Sequence, residues 1–147
     1  MDSLRIIQLD CSFCGKLKEL HNECLPMVHY SDDSYGEFLK LPQFKTYGFV
    51  EQNELLGFVI LTVNQDEADV VSVCVNPNYR RKGIARRLLA YSCNINKIKT
   101  LFIEVLESNS KAISFYKGIG FQQVGIRKNY LNNENAIVMR LTLLSIN

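Results

Sequence analysis

The stretch from Asp69 to Ser92 constrains the fold more than any other part of the chain. A β-branched run, Val70 to Val75, stops at Asn76-Pro77. A polar turn follows, and an amphipathic helix is predicted to begin near Ile84, with Ala85, Leu88 and Leu89 on one face. The turn and the first helical turn carry Arg80, Arg81, Lys82, Arg86 and Arg87 around Gly83. A helix N-terminus is the positive end of the macrodipole, so cations there are locally unfavourable and acids are preferred. Basic side chains, a glycine and free backbone N–H groups at a helix start together suit an anion. A solvated basic face is the other reading of the same residues.

The 147 residues fit one domain, 1–147, long enough to bury a core without disulfide staples. Net charge is only +2, so no global field recruits nucleic acid, and anion binding must be local. No apolar run approaches the ~20 residues that span a bilayer, and Met1-Asp2-Ser3-Leu4-Arg5 lacks a secretory pattern. Five cysteines, an odd number, argue against a disulfide framework and for a reduced, cytoplasmic protein. A monomer that touches neither membrane nor nucleic acid is the simplest expectation.

Along the chain, Leu4 to Leu9 reads as a first strand and Ser12 to Leu25 as a helix ending before Pro26. Ser31-Asp32-Asp33 offers caps for a second helix that stops at Pro42. Thr46 to Glu51 and Leu55 to Val63 read as a hairpin, and the Val70 strand and its helix follow. Thr100 to Leu106 is a further strand, and Ser108-Asn109-Ser110 caps a helix to about Ile119, with Gly120 as its terminator. Phe121 to Ile126 and Ala136 to Leu144 are the last strands, separated by a polar loop containing Tyr130. The expected order is βααβββαβαββ, an α/β domain with a mixed, mostly antiparallel central sheet flanked by helices.

Several residues are candidates for chemistry. Glu104 alternates with Phe102 and Leu106 on one strand face, so its carboxylate is expected to be poorly solvated, with a pKa raised toward that of a general base. A strand-end glutamate that reaches water is the plainer alternative. Tyr116 lies on the following helix, as either a core aromatic or an acid aimed at the same cleft. Asn109 is a good helix cap whose amide could equally face a ligand. Cys11-Ser12-Phe13-Cys14 is a C-x-x-C at a strand-to-helix junction, open to thiol exchange or, with His21, Cys24 or His29, to zinc. The absence of a proline between the cysteines and of a second ligand pair weighs against both, so no metal is expected.

Arg80-Arg81-Lys82-Gly83-Ile84-Ala85 matches the (Gln/Arg)-x-x-Gly-x-(Gly/Ala) signature of the Gcn5-related N-acetyltransferases, and the chain resembles that family around it. Phe102-Ile103-Glu104-Val105, Asn109, Ala112-Ile113-Ser114-Phe115-Tyr116 and Gly120-Phe121 look like the family's closing motif. Arg127-Lys128-Asn129-Tyr130 with Ala136-Ile137-Val138-Met139 resembles its bacterial ribosomal-protein alanine N-acetyltransferase branch. The resemblance runs from about Gly48 to the C-terminus. It implies acetyl-coenzyme A as co-substrate. The pantetheine arm would lie along Val73, Cys74 and Val75, and the pyrophosphate on Arg80, Arg81, Lys82, Gly83, Ile84, Ala85 and Arg86, with a contact from Asn109. It further implies Glu104 as base, Tyr116 as acid and no metal. The acceptor would be a protein N-terminus, that of a small-subunit ribosomal protein, with Tyr30 and Tyr130 at the acceptor groove. Where that branch carries a Trp-Ser pair, this chain has Met27-Val28-His29-Tyr30-Ser31 and no tryptophan at all. A small amine or a lysine side chain is the alternative acceptor. A non-catalytic acyl-coenzyme A-binding or Cys11/Cys14 sensing module is the alternative of another class.

Overall fold

A computed structural model of the chain describes residues 5–26, 28 and 30–143. His29, proposed above as a metal ligand, lies outside the described residues. Strand β1 (Arg5–Gln8) leads through a single 3-10 turn, Cys11–Phe13, into α1 (Cys14–Cys24) and α2 (Asp32–Lys40). Strands β2 (Phe44–Glu51), β3 (Glu54–Asn64) and β4 (Glu67–Val75) follow, then α3 (Ile84–Ile95), β5 (Thr100–Leu106), α4 (Ser110–Ile119), β6 (Gln122–Leu131) and β7 (Glu134–Thr142). This is the order expected from the sequence.

Local chemistry explains the element ends. Ser31 caps α2, its hydroxyl accepting from the Ser34 N–H at 3.2 Å, and Asp32 and Asp33 sit in the first turn where the macrodipole favours them. Asn109 caps α4, with Oδ1 accepting from the Ala112 N–H at 3.2 Å. The far end of α4 closes on Gly120 at φ 125°, with N–H bonds from Gly120 to Lys117 and from Phe121 to Tyr116, both at 3.0 Å.

The seven strands form one sheet in the order β1-β2-β3-β4-β5-β7-β6. Only β4 and β5 run parallel, and they pair only over Glu67↔Thr100, Ala68↔Leu101 and Asp69↔Phe102. Beyond Asp69 the two strands part. At the same place β4 is bulged: Leu61 pairs with Val70 and Ile60 with Ser72, so Val71 is the extra residue. A bulge next to a split leaves backbone groups of β4 facing open space in the middle of a sheet.

Apolar side chains cover both faces. Leu88, Leu89 and Cys93 of α3 pack with Val59, Leu61, Leu101 and Met139 on one side, and Leu17, Leu20, Tyr35 and Phe38 of α1 and α2 pack with Phe58 and Ile60 on the other. The fully buried Leu17, Phe58, Ile60 and Leu88 each contribute about 1.5–3 kcal/mol relative to exposure.

One boundary differs from expectation. The polar loop predicted between the last strands is instead strand, so Tyr130 lies within β6. The connection shrinks to Asn132 and Asn133, at φ 52° and 63°, between the paired Leu131 and Glu134. Two successive left-handed residues match the twist of a tight hairpin, and asparagine tolerates them.

Candidate active site

Two concavities open on either side of the β4–β5 split. The larger is a groove of about 830 Å³, walled by Val73, Cys74 and Val75, by the α3 start at Arg80, Arg81, Gly83, Ile84, Ala85 and Arg86, and by α4 at Ser110 to Tyr116. The smaller, about 230 Å³, is walled by His21, Tyr30, Val71, Glu104, Asn109 and Tyr130, among others. Leu25, Val73 and Tyr116 belong to both walls, so the two meet end to end across three side chains.

The basic loop leads into α3 at Ile84, where the sequence placed the helix start. Gly83 caps α3 at φ 76°, ψ 14°, without any side-chain cap bond, and Arg81 is also left-handed at φ 65°. The first turn of α3 holds no acid. Its leading N–H groups therefore have no intrahelical partner and face the groove beside guanidinium groups. Arg80 also donates from Nε to the Val75 carbonyl at 3.3 Å. Lys82 is absent from the groove wall and lies over the Tyr79 ring, 5.9 Å from its centroid.

Glu104 stands in the smaller pocket, but its surroundings differ from the expected apolar ones. Phe102 and Leu106 on its face are only half-buried, and the Glu104 side chain is 27% exposed. Arg127 reaches it from β6, with Nε 2.7 Å and Nη2 2.6 Å from the same oxygen, Oε2. Oε1 has no hydrogen-bond partner among the described residues and is free to face a ligand. In return the Glu104 carboxylate holds the Arg127 guanidinium above its ordinary pKa, through the hydrogen bond first and its charge second. Asp69, one ladder position before the split, has its carboxyl pushed up by burial and then by the Glu104 charge.

Tyr116 is buried at 7% exposure, and burial pushes its hydroxyl well above the usual phenol pKa. It stays protonated at neutral pH, as a proton donor must. Asn109 lies on the wall of the smaller pocket, not of the groove expected for it, and its Oδ1 is committed to the α4 cap. Tyr30 and Tyr130 both line the smaller pocket. Two further residues wall the groove: Phe115, 41% exposed, which the sequence offers only as part of the closing motif, and Cys24 of α1, which it offers only as a possible zinc ligand. The Cys24 thiol donates to the Val75 carbonyl at 3.4 Å. It is drawn below the ordinary thiol pKa by its hydrogen bond with Cys74 and then by Arg80, while Cys74 is pushed up.

Among the described residues, no group of three or more His, Cys, Asp or Glu is placed to hold a metal, and no helix is long and apolar enough to cross a membrane. All five cysteines are free.

The profile of the Acetyltransferase (GNAT) family matches residues 15–121. The chain is 38% identical over 145 residues to the [ribosomal protein bS18]-alanine N-acetyltransferase of Haemophilus influenzae, covering 91% of this chain and 95% of that one. Its structure superposes on the ribosomal-protein-S18-alanine N-acetyltransferase of Escherichia coli with a TM-score of 0.83 at 25% identity, over 95% of this chain and 93% of that one. The fold is also that of Arabidopsis thaliana NAA60 solved with acetyl-CoA, with a TM-score of 0.83 at 17% identity, over 97% of this chain and 99% of that one. A strand that bulges and splits from its neighbour, a Gly83 loop feeding a helix, and this family match agree: the chain belongs to the GNAT family of acetyltransferases.

Proposed function

We propose that this protein transfers acetyl from acetyl-coenzyme A to the N-terminal amine of a protein, the N-terminal alanine of a small-subunit ribosomal protein, as a single-domain enzyme of the cytoplasm. The observation that carries this reading is the end-to-end meeting of groove and pocket at Leu25, Val73 and Tyr116. The Haemophilus influenzae and Escherichia coli relatives are named as alanine N-acetyltransferases of ribosomal protein bS18 and S18, which supports that acceptor.

The chain's own residues then divide the work. The α3 N-terminus and Arg80, Arg81 and Arg86 hold the pyrophosphate, and Gly83 and Ala85 let the backbone approach it. The β4 backbone groups from Val73 to Val75 that face away from β3, where no strand pairs with them, take the pantetheine arm and supply N–H groups to the developing oxyanion. An α-amine has a pKa of about 7.7–8.0, so much of it is protonated at neutral pH, and only the free amine attacks. Glu104 Oε1 accepts that proton, directly or through a water, while Arg127 fixes Oε2. Tyr116 donates its proton to the departing thiolate.

Incubation with acetyl-coenzyme A and a panel of peptide N-termini, lysine peptides and polyamines, read by mass spectrometry, tests the reading. A 42 Da gain, about one acetyl group on free amines, is expected on alanine-initiated peptides. Gain only on lysine or polyamine, or none, contradicts it.

A further inference from the structure

His21 is the only buried side chain with an unpartnered polar atom among the described residues: its Nε2 has no hydrogen bond. The residue is 0% exposed and sits in α1 between Tyr30, Tyr35 and Phe58, at ring-centroid distances of 5.0, 5.7 and 6.2 Å. It also forms part of the wall of the smaller pocket, with Glu104 and Tyr116. Buried polar groups are almost always paired, so an unpaired one on a pocket wall marks a partner that arrives later.

The neighbours fix what kind of partner. Tyr35 is 1% exposed, and its hydroxyl lies 3.0 Å from His21 Nδ1. Burial raises the Tyr35 pKa, so its hydroxyl keeps its proton and needs an acceptor. Nδ1 is the acceptor it has. Burial lowers the His21 pKa, so the ring is neutral and carries one proton. With Nδ1 accepting, that proton is on Nε2. The pocket therefore contains a buried N–H donor that seeks an acceptor atom.

We propose that His21 Nε2–H donates to the first backbone carbonyl of the acceptor chain, making His21 the residue that tells a protein N-terminus from a simple amine. This rests on the N-terminal acetylation reading above. A protein N-terminus carries a carbonyl carbon two bonds of about 1.5 Å from its amine, whereas an alkylamine or a lysine ε-amine has only methylenes there. A site built to hydrogen-bond a polar group rejects the analogue that lacks it, because its own buried donor is left unpaired. Tyr30, half-buried and also on the pocket wall, packs against the imidazole with ring centroids 5.0 Å apart and the planes tilted by 51°.

The test pairs an alanine-initiated peptide with its E-alkene isostere, in which the first peptide bond is replaced by carbon–carbon double bond, and pairs the wild type with His21→Phe and His21→Gln. His21→Phe is expected to raise KM for the parent peptide roughly tenfold with a much smaller change in kcat, and His21→Gln, which keeps an N–H donor, to recover most of it. The isostere should lose about as much with the wild type and nothing more with His21→Phe. Losses that multiply independently overturn the proposal, as does His21→Phe with an unchanged KM. No transfer to the parent peptide by the wild type overturns the N-terminal reading and this proposal together. If His21→Phe does not fold, 15N NMR of the wild type decides, since the chain has only two histidines. An Nε2–H tautomer whose signal shifts on adding the parent peptide but not the isostere is expected; an Nδ1–H tautomer or an unmoved signal refutes it.

Discussion

Arg127 grips one oxygen of Glu104 with two nitrogens, Nε at 2.7 Å and Nη2 at 2.6 Å from Oε2, and leaves Oε1 open to the pocket. The two come from strands on either side of β7: Glu104 of β5 pairs with Val138 of β7, and Val138 with Gly125 of β6, two residues before Arg127. A planar fork with two donors fixes a carboxylate in orientation as well as in position.

Arg127 is thus a positioning residue for Glu104. Arg127→Lys, which offers a single point charge, is expected to lower kcat about tenfold while leaving KM for acetyl-coenzyme A unchanged. Arg127→Ala should lower it further, with thermal stability hardly altered because the pair is solvent-exposed. A stopped-flow or steady-state comparison of kcat and KM decides; a loss confined to coenzyme KM would place Arg127 elsewhere in the reaction.

Tyr116 is held protonated by burial, so in the proposed reaction it contributes a proton, not a charge. Tyr116→Phe keeps the ring that packs against Phe121, at 5.4 Å between centroids, and removes only the hydroxyl. A fall in kcat of roughly 10²-fold is expected, with acetyl-coenzyme A binding preserved in calorimetry. Unchanged turnover would strip Tyr116 of its role as acid.

Gly83 has open space where a Cβ would stand, so only its φ of 76° resists substitution. Gly83→Ala is expected to cost about 1–2 kcal/mol of stability from the left-handed backbone. It should also weaken acetyl-coenzyme A binding, because the loop that aims the α3 N–H groups shifts. A thermal melt and a titration separate the two effects; wild-type affinity would mean that the loop does not hold the pyrophosphate.

Cys24 lines the larger groove, proposed to hold the coenzyme, with a thiol pKa drawn below the ordinary value, so its thiolate appears at lower pH than that of a free cysteine. Iodoacetamide labelling mapped by peptide mass spectrometry is expected to find Cys24 modified already near neutral pH, with Cys74 and Cys93 spared by burial. Coenzyme A should protect Cys24 but not the exposed Cys11. Equal labelling with and without coenzyme A would move Cys24 out of the occupied groove.

The core unit was legible because it is local: a valine run, Asn76-Pro77, a basic glycine turn and a 3.6-residue apolar face each specify their own conformation. The second half of strand β6 was not, because it is an edge strand with Arg127, Lys128, Asn129 and Tyr130 all exposed. No alternation distinguishes such a strand from a polar loop; it is held by its ladder to β7 and by the left-handed Asn132-Asn133 turn. The surroundings of Glu104 escaped for the same reason, since the guanidinium that replaces the expected apolar setting comes from that strand, 23 residues away. Asn109 was legible as a cap but not as a wall of the smaller pocket. His21 read only as a possible zinc ligand; the tertiary fold instead sets Tyr35 on Nδ1 and leaves Nε2 unpaired.

Groove and pocket are proposed to form one catalytic site whose base is Glu104. Glu104→Gln keeps the shape and a hydrogen-bonding oxygen but cannot take up the amine's proton. Single-turnover acetylation of an alanine-initiated peptide by Glu104→Gln, beside acetyl-coenzyme A affinity measured on the same sample, is the most direct measurement. A rate lowered by about 10²-fold or more with affinity unchanged is expected. A rate equal to that of the wild type at neutral pH would contradict it.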